Sequence, residues 1–405
     1  MASPVRVLHL SENLTLPFDR RVWMELNALR AAGHEVSAIC PMGEGTSGSE
    51  PYEILNGIHI WRYPPPPPTR GFLSYVWEFA YCWLQTLRLA FVVYARRGFD
   101  VIHSANPPDT FWAIALLFKA AGVKFVFDHH DLCPELYLSR FGERRAGSLP
   151  HRGLQWLERM QFACADLVIS TNESYRQVAL ERGHKRPDQV RVVRSGPSHE
   201  RFATVHAPDP ALKHGKRYLV AYLGVMAPQD GVDHLLRAAR VLVREHGRTD
   251  VGFTLIGSGD SYEELKRLAA SLELDGVCRF TGRVPDAEVE SILATADVCV
   301  SPDPRNPLND VSTMNKVLEY MACAKPVVCF DLREHRASAG EGALYAEPNR
   351  DDDLAAQIAR LLDDPALCER LGAYNRRRFL DKMAWEHNAG ELLQAYEELC
   401  ATRRR

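Results

Sequence analysis

Apolar and polar positions along this chain alternate between two periods. Short runs of mostly apolar residues at Val5–Leu10, Glu35–Cys40, Val101–His103, Lys124–Asp128, Leu167–Ser170 and Val190–Arg194 carry no regular polar face. Between them, Arg20–Ala32, Phe72–Arg96, Thr110–Ala121, Leu154–Ala163 and Glu173–Arg182 repeat apolar positions three and four apart. Strands covered on both faces and separated by amphipathic helices predict a parallel sheet with crossover helices. The alternation restarts with strands at Tyr218–Leu223, Val251–Ile256, Val277–Thr281, Val298–Ser301 and Pro326–Cys329. Helices are expected at Val232–Glu245, Tyr262–Ala270, Asp286–Ala294, Met314–Ala322, Leu354–Leu362 and Trp385–Leu399. The expected class is α/β, with one doubly wound domain over 1–200, a second over 201–384, and a cleft where the carboxyl ends of both sheets converge. Ser198–His214 has little periodicity and prolines at 208 and 210, so it reads as an interdomain linker, while Pro64–Pro68 reads as a stiff surface connection.

Length and charge fit this picture. A chain of 405 residues exceeds what one core usually fills, and 49 basic against 52 acidic residues give a net charge of -3, with no overall field to recruit nucleic acid. Ten cysteines stand singly with no C-x-x-C pair, which fits free thiols in a reducing compartment better than a zinc or redox site. Met-Ala-Ser-Pro runs straight into the first strand without a leader-like apolar stretch, so a cytoplasmic protein is expected. The segment from Phe72 to Tyr94 is aromatic-rich and nearly long enough to span a bilayer. Ser74, Glu78, Gln85 and Arg88 interrupt it within a sector of about a quarter turn at roughly 100° per residue. It reads either as a helix packed on its own domain or as an interfacial helix in peripheral contact with the inner face of a membrane, with Arg70, Arg96 and Arg97 near the headgroups.

Chemistry concentrates at the expected carboxyl ends of strands. Ser312 or Thr313 is placed to cap a helix whose apolar face is Met314, Val317, Leu318 and Met321, with Asn315, Lys316 and Glu319 on the opposite side. Free N–H groups at such a helix start suit a diphosphate, Lys316 adds a cation, and Glu319 can accept two ribose hydroxyls; a solvated Asn-Lys-Glu face is the plain alternative. Glycines follow three strands, in Tyr222-Leu-Gly-Val-Met-Ala-Pro-Gln-Asp-Gly, Ile256-Gly-Ser-Gly-Asp and Phe280-Thr-Gly-Arg-Val, where backbone can approach a ligand closely. Arg283 is a second cation for a leaving diphosphate. In the first half, Phe127-Asp-His-His-Asp follows a strand, Asn106-Pro-Pro-Asp109 ends another as a wall for an acceptor, and Asp19-Arg20-Arg21 opens the first helix. Arg20 or Arg21 can meet a phosphate, while Arg21 with Glu25 four residues on is an ordinary helix pair. No Asp-x-Asp or His/Cys cluster asks for a metal.

Taken together, these motifs resemble the large family of retaining, nucleotide-sugar-dependent GT-B glycosyltransferases (glycosyl transferases group 1, family 4), whose members build bacterial polysaccharides and glycoconjugates. The carriers are Gly224–Gly231 as Gly-x-x-x-Pro-x-x-Gly, the Gly-Ser-Gly at 257–259, Phe-Thr-Gly-Arg-Val at 280–284 and Glu-Tyr-Met-Ala-x-x-Lys-Pro-Val-Val at 319–328, in that order over nearly the whole chain. The resemblance implies two Rossmann-like domains, with the helix at 385–405 crossing back to the first. It implies a UDP- or GDP-sugar donor and a glycan or lipid-linked acceptor, with no metal or other cofactor and no nucleic-acid partner. Glu319 would hold the donor ribose, Arg283 and Val284 would lie by the base, and the helix start at Thr313, Met314 and Asn315 would receive the diphosphate, with Gly224, Gln229 and Gly257 beside it. His130 and Asp131 would match the family's His-Asp step near the donor sugar, with Lys316 supplying catalytic charge from the helix. Four positions depart from the pattern: Val311 stands where a first glutamate is usual, Val225 and Asp230 where arginine and lysine are common, and Ser195 where asparagine is frequent. Val311, Val225 and Asp230 keep open a GT-B protein that binds a nucleotide or partner without turnover, and a GT-B epimerase is a further alternative. A nicotinamide oxidoreductase lacks support, because Ser11-Glu-Asn-Leu-Thr-Leu replaces the glycine fingerprint after the first strand.

Overall fold

The computed structural model describes residues 4–43, 48–66, 72–202 and 207–401, with backbone alone at 72–76. The chain divides into two compact units, residues 1–194 together with 388–405, and residues 195–387.

In the first unit, eight strands form one sheet: β1 (Arg6–Leu10), β2 (Glu35–Pro41), β3 (Tyr52–Leu55), β4 (Ile58–Tyr63), β5 (Val101–Ala105), β6 (Lys124–His129), β7 (Leu167–Ser170) and β8 (Val190–Val192). Their order is β3-β4-β2-β1-β5-β6-β7-β8, parallel throughout except for β3 against β4. Strand order reverses direction between β1 and β5, so the loops after Leu10 and Ala105 diverge and leave a crevice at their carboxyl ends. The helices are α1 (Arg20–Ala31), α2 (Phe72–Arg96), α3 (Trp112–Lys119), α4 (Cys133–Phe141), α5 (Leu149–Cys164) and α6 (Glu173–Glu181). Residues of α2, α3, α5 and α6 share one buried cluster with Leu8, Ile102, Phe125 and Val168, which places these helices on one face of the sheet. Asp19 caps α1 by accepting from the Val22 N–H at 3.1 Å.

In the second unit, β9 (Tyr218–Leu223), β10 (Val251–Ile256), β11 (Cys278–Gly282), β12 (Val298–Ser301), β13 (Val327–Phe330) and β14 (Ala343–Ala346) form an all-parallel sheet in the order β11-β10-β9-β12-β13-β14. The direction reverses between β9 and β12. Its helices are α7 (Val232–Arg240), which runs on into a wider π-helical turn at Val241–Glu245, α8 (Tyr262–Ser271), α9 (Asp286–Thr295), α10 (Asn315–Ala322), α11 (Arg333–Ala339), α12 (Asp351–Asp363) and α13 (Pro365–Arg378). The final helix, α14 (Trp385–Ala401), begins in the second unit and passes most of its length to the first.

Several elements differ from the sequence expectation. The hairpin β3–β4 turns at Asn56-Gly57, both with positive φ (51° and 76°), a turn that right-handed strand twist favours. Helices α4, α11 and α13 and strand β14 form where no element is expected from periodicity. The expected linker is ordered at its end: Pro210–Lys213 form a helical turn capped by Asp209, and Lys213 Nζ pairs with Asp297 at 2.7 Å. Residues 203–206 of that stretch, Pro67, Pro68 and Arg70 lie outside the described residues. Among the described residues no helix is long and apolar enough to cross a membrane.

Candidate functional site

The first unit gathers its polar groups at the carboxyl ends of β1, β5 and β6. Asn106, 2% exposed just after β5, accepts the backbone N–H of His130 at 2.7 Å and of Asp131 at 3.1 Å through Oδ1, and its Nδ2 donates to the Asp131 carbonyl at 2.7 Å. Asn106, read from the sequence as part of an acceptor wall, is a buried bracket that fixes the His130–Asp131 backbone. Asp131 is half-buried, and burial raises its carboxyl pKa.

His130 is 15% exposed at its side chain, and its Nε2 faces inward. Asp128 Oδ2 lies 2.5 Å and Arg21 Nε 2.8 Å from that nitrogen, which leaves Nδ1 as the ring nitrogen not engaged by this pair. Arg21 is almost fully buried, against the expectation that it is offered to a phosphate. Its guanidinium also reaches Asp128 Oδ1 at 2.9 Å, Glu25 Oε1 at 3.0 Å and the Val193 carbonyl at 2.8 Å. The helix pair with Glu25 thus forms, within a larger buried network. Arg20 is exposed at the start of α1. Burial alone would raise the Asp128 carboxyl, but Arg21, His130 and His103 outweigh it and hold Asp128 well below the carboxylate range. Glu25 goes the other way: burial drives its pKa well up against the pull of Arg21. One potential ligand atom from each of Glu25, Asp128 and His130 lies within 4.8 Å of the others, as do those of His9, Glu25 and His103, and Arg21 Nη2 reaches both Glu25 and Asp128.

Sequence reasoning gave no role to Asp128 or His103 and read Glu25 only as the helix partner of Arg21. His103 presents Nδ1 to the Tyr396 hydroxyl of α14 at 2.9 Å, and its Nε2 lies 3.6 Å from Asp128. A signal was present: His9, His103 and Asp128 each interrupt an apolar strand, and His9 and His103 are register partners on β1 and β5.

In the second unit, glycines end three adjacent strands. The Gly224 N–H donates to the Ile256 carbonyl at 3.0 Å, and the Gly257 N–H to the Gly282 carbonyl at 2.9 Å. A Cβ on Gly257 would stand 1.9 Å from the Gly224 carbonyl, so the two backbones pass where no side chain fits. Gln229 holds Asn309 through its carbonyl at 2.8 Å and keeps its own Oε1 buried.

Lys316, on the first turn of α10, lies at the reversal point between β9 and β12. It is buried, not on a solvated face: Nζ sits 2.6 Å from Asp303 Oδ1 and 3.5 Å from Asp230 Oδ1, 5.1 Å above the Tyr222 ring. Burial disfavours the ammonium, but Asp303 and Asp230 more than offset it and raise its pKa, while Asp303 is held well below the carboxylate range despite its own burial. The cation expected to meet a diphosphate is therefore already neutralised by two carboxylates. Helix α10 starts one residue later than expected. Met314, not Ser312 or Thr313, occupies the N-cap, no side chain caps the helix, and Thr313 Oγ1 donates instead to Glu334 at 3.4 Å.

One turn along α10, Glu319 accepts from Arg201 Nη1 at 2.8 Å, and Arg201 also reaches Glu290 at 3.3 Å and Asp286 at 3.6 Å. Arg201 is another residue the sequence reading passed over, because it lies in a segment without periodicity. Arg283 and Asn315 are exposed, and Val284 is half-buried against the cluster around α9 and α10.

Comparison with known proteins accounts for both units. Residues 19–196 match the family description "Glycosyl transferase 4-like domain", and residues 217–364 match "Glycosyl transferases group 1". An alpha-maltose-1-phosphate synthase of Mycobacterium tuberculosis is 28% identical over 329 residues, covering 74% of this chain and 79% of that protein. Among solved structures, a sucrose-phosphate synthase from Thermosynechococcus elongatus superposes with a TM-score of 0.77 at 19% identity over 98% of this chain and all of that one. The Anabaena protein HepE, solved in complex with UDP-glucose, gives 0.69 at 15% identity over 97% of this chain and 100% of that one. Two parallel α/β units with these strand orders, both matched in sequence, make this chain a member of the group 1 and family 4 glycosyltransferases, with the GT-B fold.

Proposed function

We propose that this glycosyltransferase moves a sugar from a nucleoside diphosphate donor, UDP- or GDP-linked, to a glycan or lipid-linked acceptor, with retention of configuration and without a metal or other cofactor. The observation that carries the reading is the start of α10: an N-terminus with no side-chain cap, at the reversal of strand order, beside the glycine-lined ends of β9 and β10. Uncapped N–H groups and the helix dipole suit a diphosphate. Because Lys316 is neutralised by Asp303 and Asp230, its part is to hold this end in place, and the exposed Arg283 is the cation available to the leaving group. Glu319 grips the ribose once Arg201 shifts its guanidinium toward Glu290 and Asp286, and the UDP-glucose complex of HepE is consistent with such a donor.

In the first unit, His130 presents Nδ1 to a sugar hydroxyl while Asp128 and Arg21 hold Nε2. Retention by same-face attack needs no dedicated base, since the departing phosphate oxygen takes the acceptor proton. Arg21 occupies the charge position a metal would otherwise take among Glu25, Asp128 and His130. One specific observation favours a second reading, nucleotide binding without turnover: the buried Lys316–Asp303–Asp230 cluster withdraws a cation from the donor side.

Thermal-shift titration with nucleotide sugars tests the donor site, since a ligand at a hundred times its dissociation constant stabilises by about 2.7 kcal/mol. Glu319→Ala is expected to weaken donor binding about 10- to 100-fold, the range of a hydrogen bond to a charged group. Unchanged donor affinity and transfer in that variant would overturn the site. Donor binding without transfer or hydrolysis across a panel of donors and acceptors would establish the second reading instead.

A further inference from the structure

The outer surface of the helical layer formed by α2, α3 and α5 is unusually apolar for a face turned to solvent. On α2, Trp77, Leu84 and Phe91 are 45%, 58% and 52% exposed. They recur every seven residues, so they fall on one line along the helix. This line flanks the polar stripe of Glu78, Gln85 and Arg88, so the exposed face of α2 is wider than its polar face. On α5, Leu149 is 84% exposed and Trp156, again seven residues on, is 53% exposed; Leu116 of α3 adds 55%. Two ring contacts make the surface continuous. Trp112 of α3 meets Trp156 edge-on at 5.9 Å, and Phe118 of α3 packs on Phe91 of α2 at 5.1 Å.

The charge on the α4–α5 side of this band is predominantly positive, while Glu78 and Arg88 both stand on the α2 side. Arg140, Arg144, Arg145, Arg152 and Arg159 are exposed on the end of α4, the following turn and α5, against a single exposed carboxylate, Glu143, in the same stretch. Exposed tryptophans beside arginines on neighbouring helices match the interface of an anionic bilayer, where rings settle at headgroup depth and guanidinium groups meet phosphate. A twofold contact with a second copy would bring this arginine-rich rim against itself.

We infer that the outer face of α2, α3 and α5 docks the protein onto an anionic membrane surface, lying in the interface without crossing it. This goes beyond glycosyl transfer and uses none of the groups placed at the donor or sugar sites.

Co-sedimentation of the full chain with phosphatidylcholine vesicles, with and without phosphatidylglycerol, tests it. The wild type is expected to sediment with the phosphatidylglycerol vesicles and to be released in large part at high salt. Trp77→Glu combined with Trp156→Glu, and separately Arg152→Glu combined with Arg159→Glu, should each reduce partitioning about tenfold or more, while far-UV circular dichroism and Tm stay at wild-type values. Wild-type protein that sediments with neither vesicle, or variants that partition as wild type does, would overturn the inference. It would equally be overturned if the tryptophan variant abolished a wild-type dimer in analytical ultracentrifugation while no vesicle bound either protein, since the face would then belong to contacts between copies.

Discussion

At the scale of single residues, the chemistry depends on which charges are already compensated. Lys316 reads in the sequence as a cation on a polar helix face, yet in the fold it is the partner of two carboxylates, one of them fully buried. Removing one member of a buried ion pair leaves an uncompensated charge, which costs about 3 to 5 kcal/mol. Lys316→Ala is therefore expected to lower stability by that amount in denaturant melts, and its loss of transfer will reflect the fold as well as the site. Lys316→Met with Asp303→Asn removes both ends of the closest pair and should recover most of the stability; if the single variant melts like wild type, the pair does not hold this region. Arg21 shows the same lesson in the other unit. Next to Glu25 it looks like an ordinary helix pair, but Asp128 and His130, more than a hundred residues away, complete its environment.

At the scale of elements, strand order sets where the site lies, and glycine sets how closely the strands' ends approach. Gly257 and Gly276 both have positive φ, 128° and 73°, but only a Cβ on Gly257 would meet another backbone, whereas nothing lies within 4 Å of one on Gly276. Gly276→Ala should cost about 1 kcal/mol from backbone conformation alone. Gly257→Ala should cost more than about 4 kcal/mol and disrupt the second unit, as read by chemical denaturation and nucleotide-sugar binding. Equal effects for the two would remove the close passage of β9 and β10 from the account. Most helices and strands of this fold were legible from periodicity, because the parallel strands are covered on both faces and the helices have one apolar side. The hairpin β3–β4 was also legible in principle from Asn56-Gly57. Helix α4 was not, since only Cys133 and Pro134 are buried along it and it lacks the regular apolar stripe that announces a helix.

At the scale of the whole molecule, stability depends on pH through carboxyls that the fold buries. Asp109, 3% exposed beside Asn106, has its pKa pushed up to about 6 by burial, against the hydrogen bond from Asn106 Nδ2 at 3.0 Å. Its unfolded value is about 3.9, so the folded chain keeps a proton that the unfolded chain releases between roughly pH 4 and 6. Its contribution is therefore fully present below pH ~4 and is lost as pH rises through about 6, with a slope of at most ~1.4 kcal/mol per pH unit. Asp109→Asn should flatten that part of the stability curve, measured as Tm from pH 4 to 7; parallel curves for variant and wild type would show that Asp109 is ionised in the fold. The sequence by itself determined the class of fold, the glycine turns and the identity of Glu319 and His130 as groups at strand ends or on the helix that follows, because local periodicity and motif spacing act over a few residues. Only the tertiary structure decided that Arg201 holds Glu319, that Asp128 and Arg21 fix one nitrogen of His130, and that Lys316 is neutralised. Each of those facts is a charge balance struck between residues far apart in the chain, where burial makes an unpaired charge too costly to leave alone.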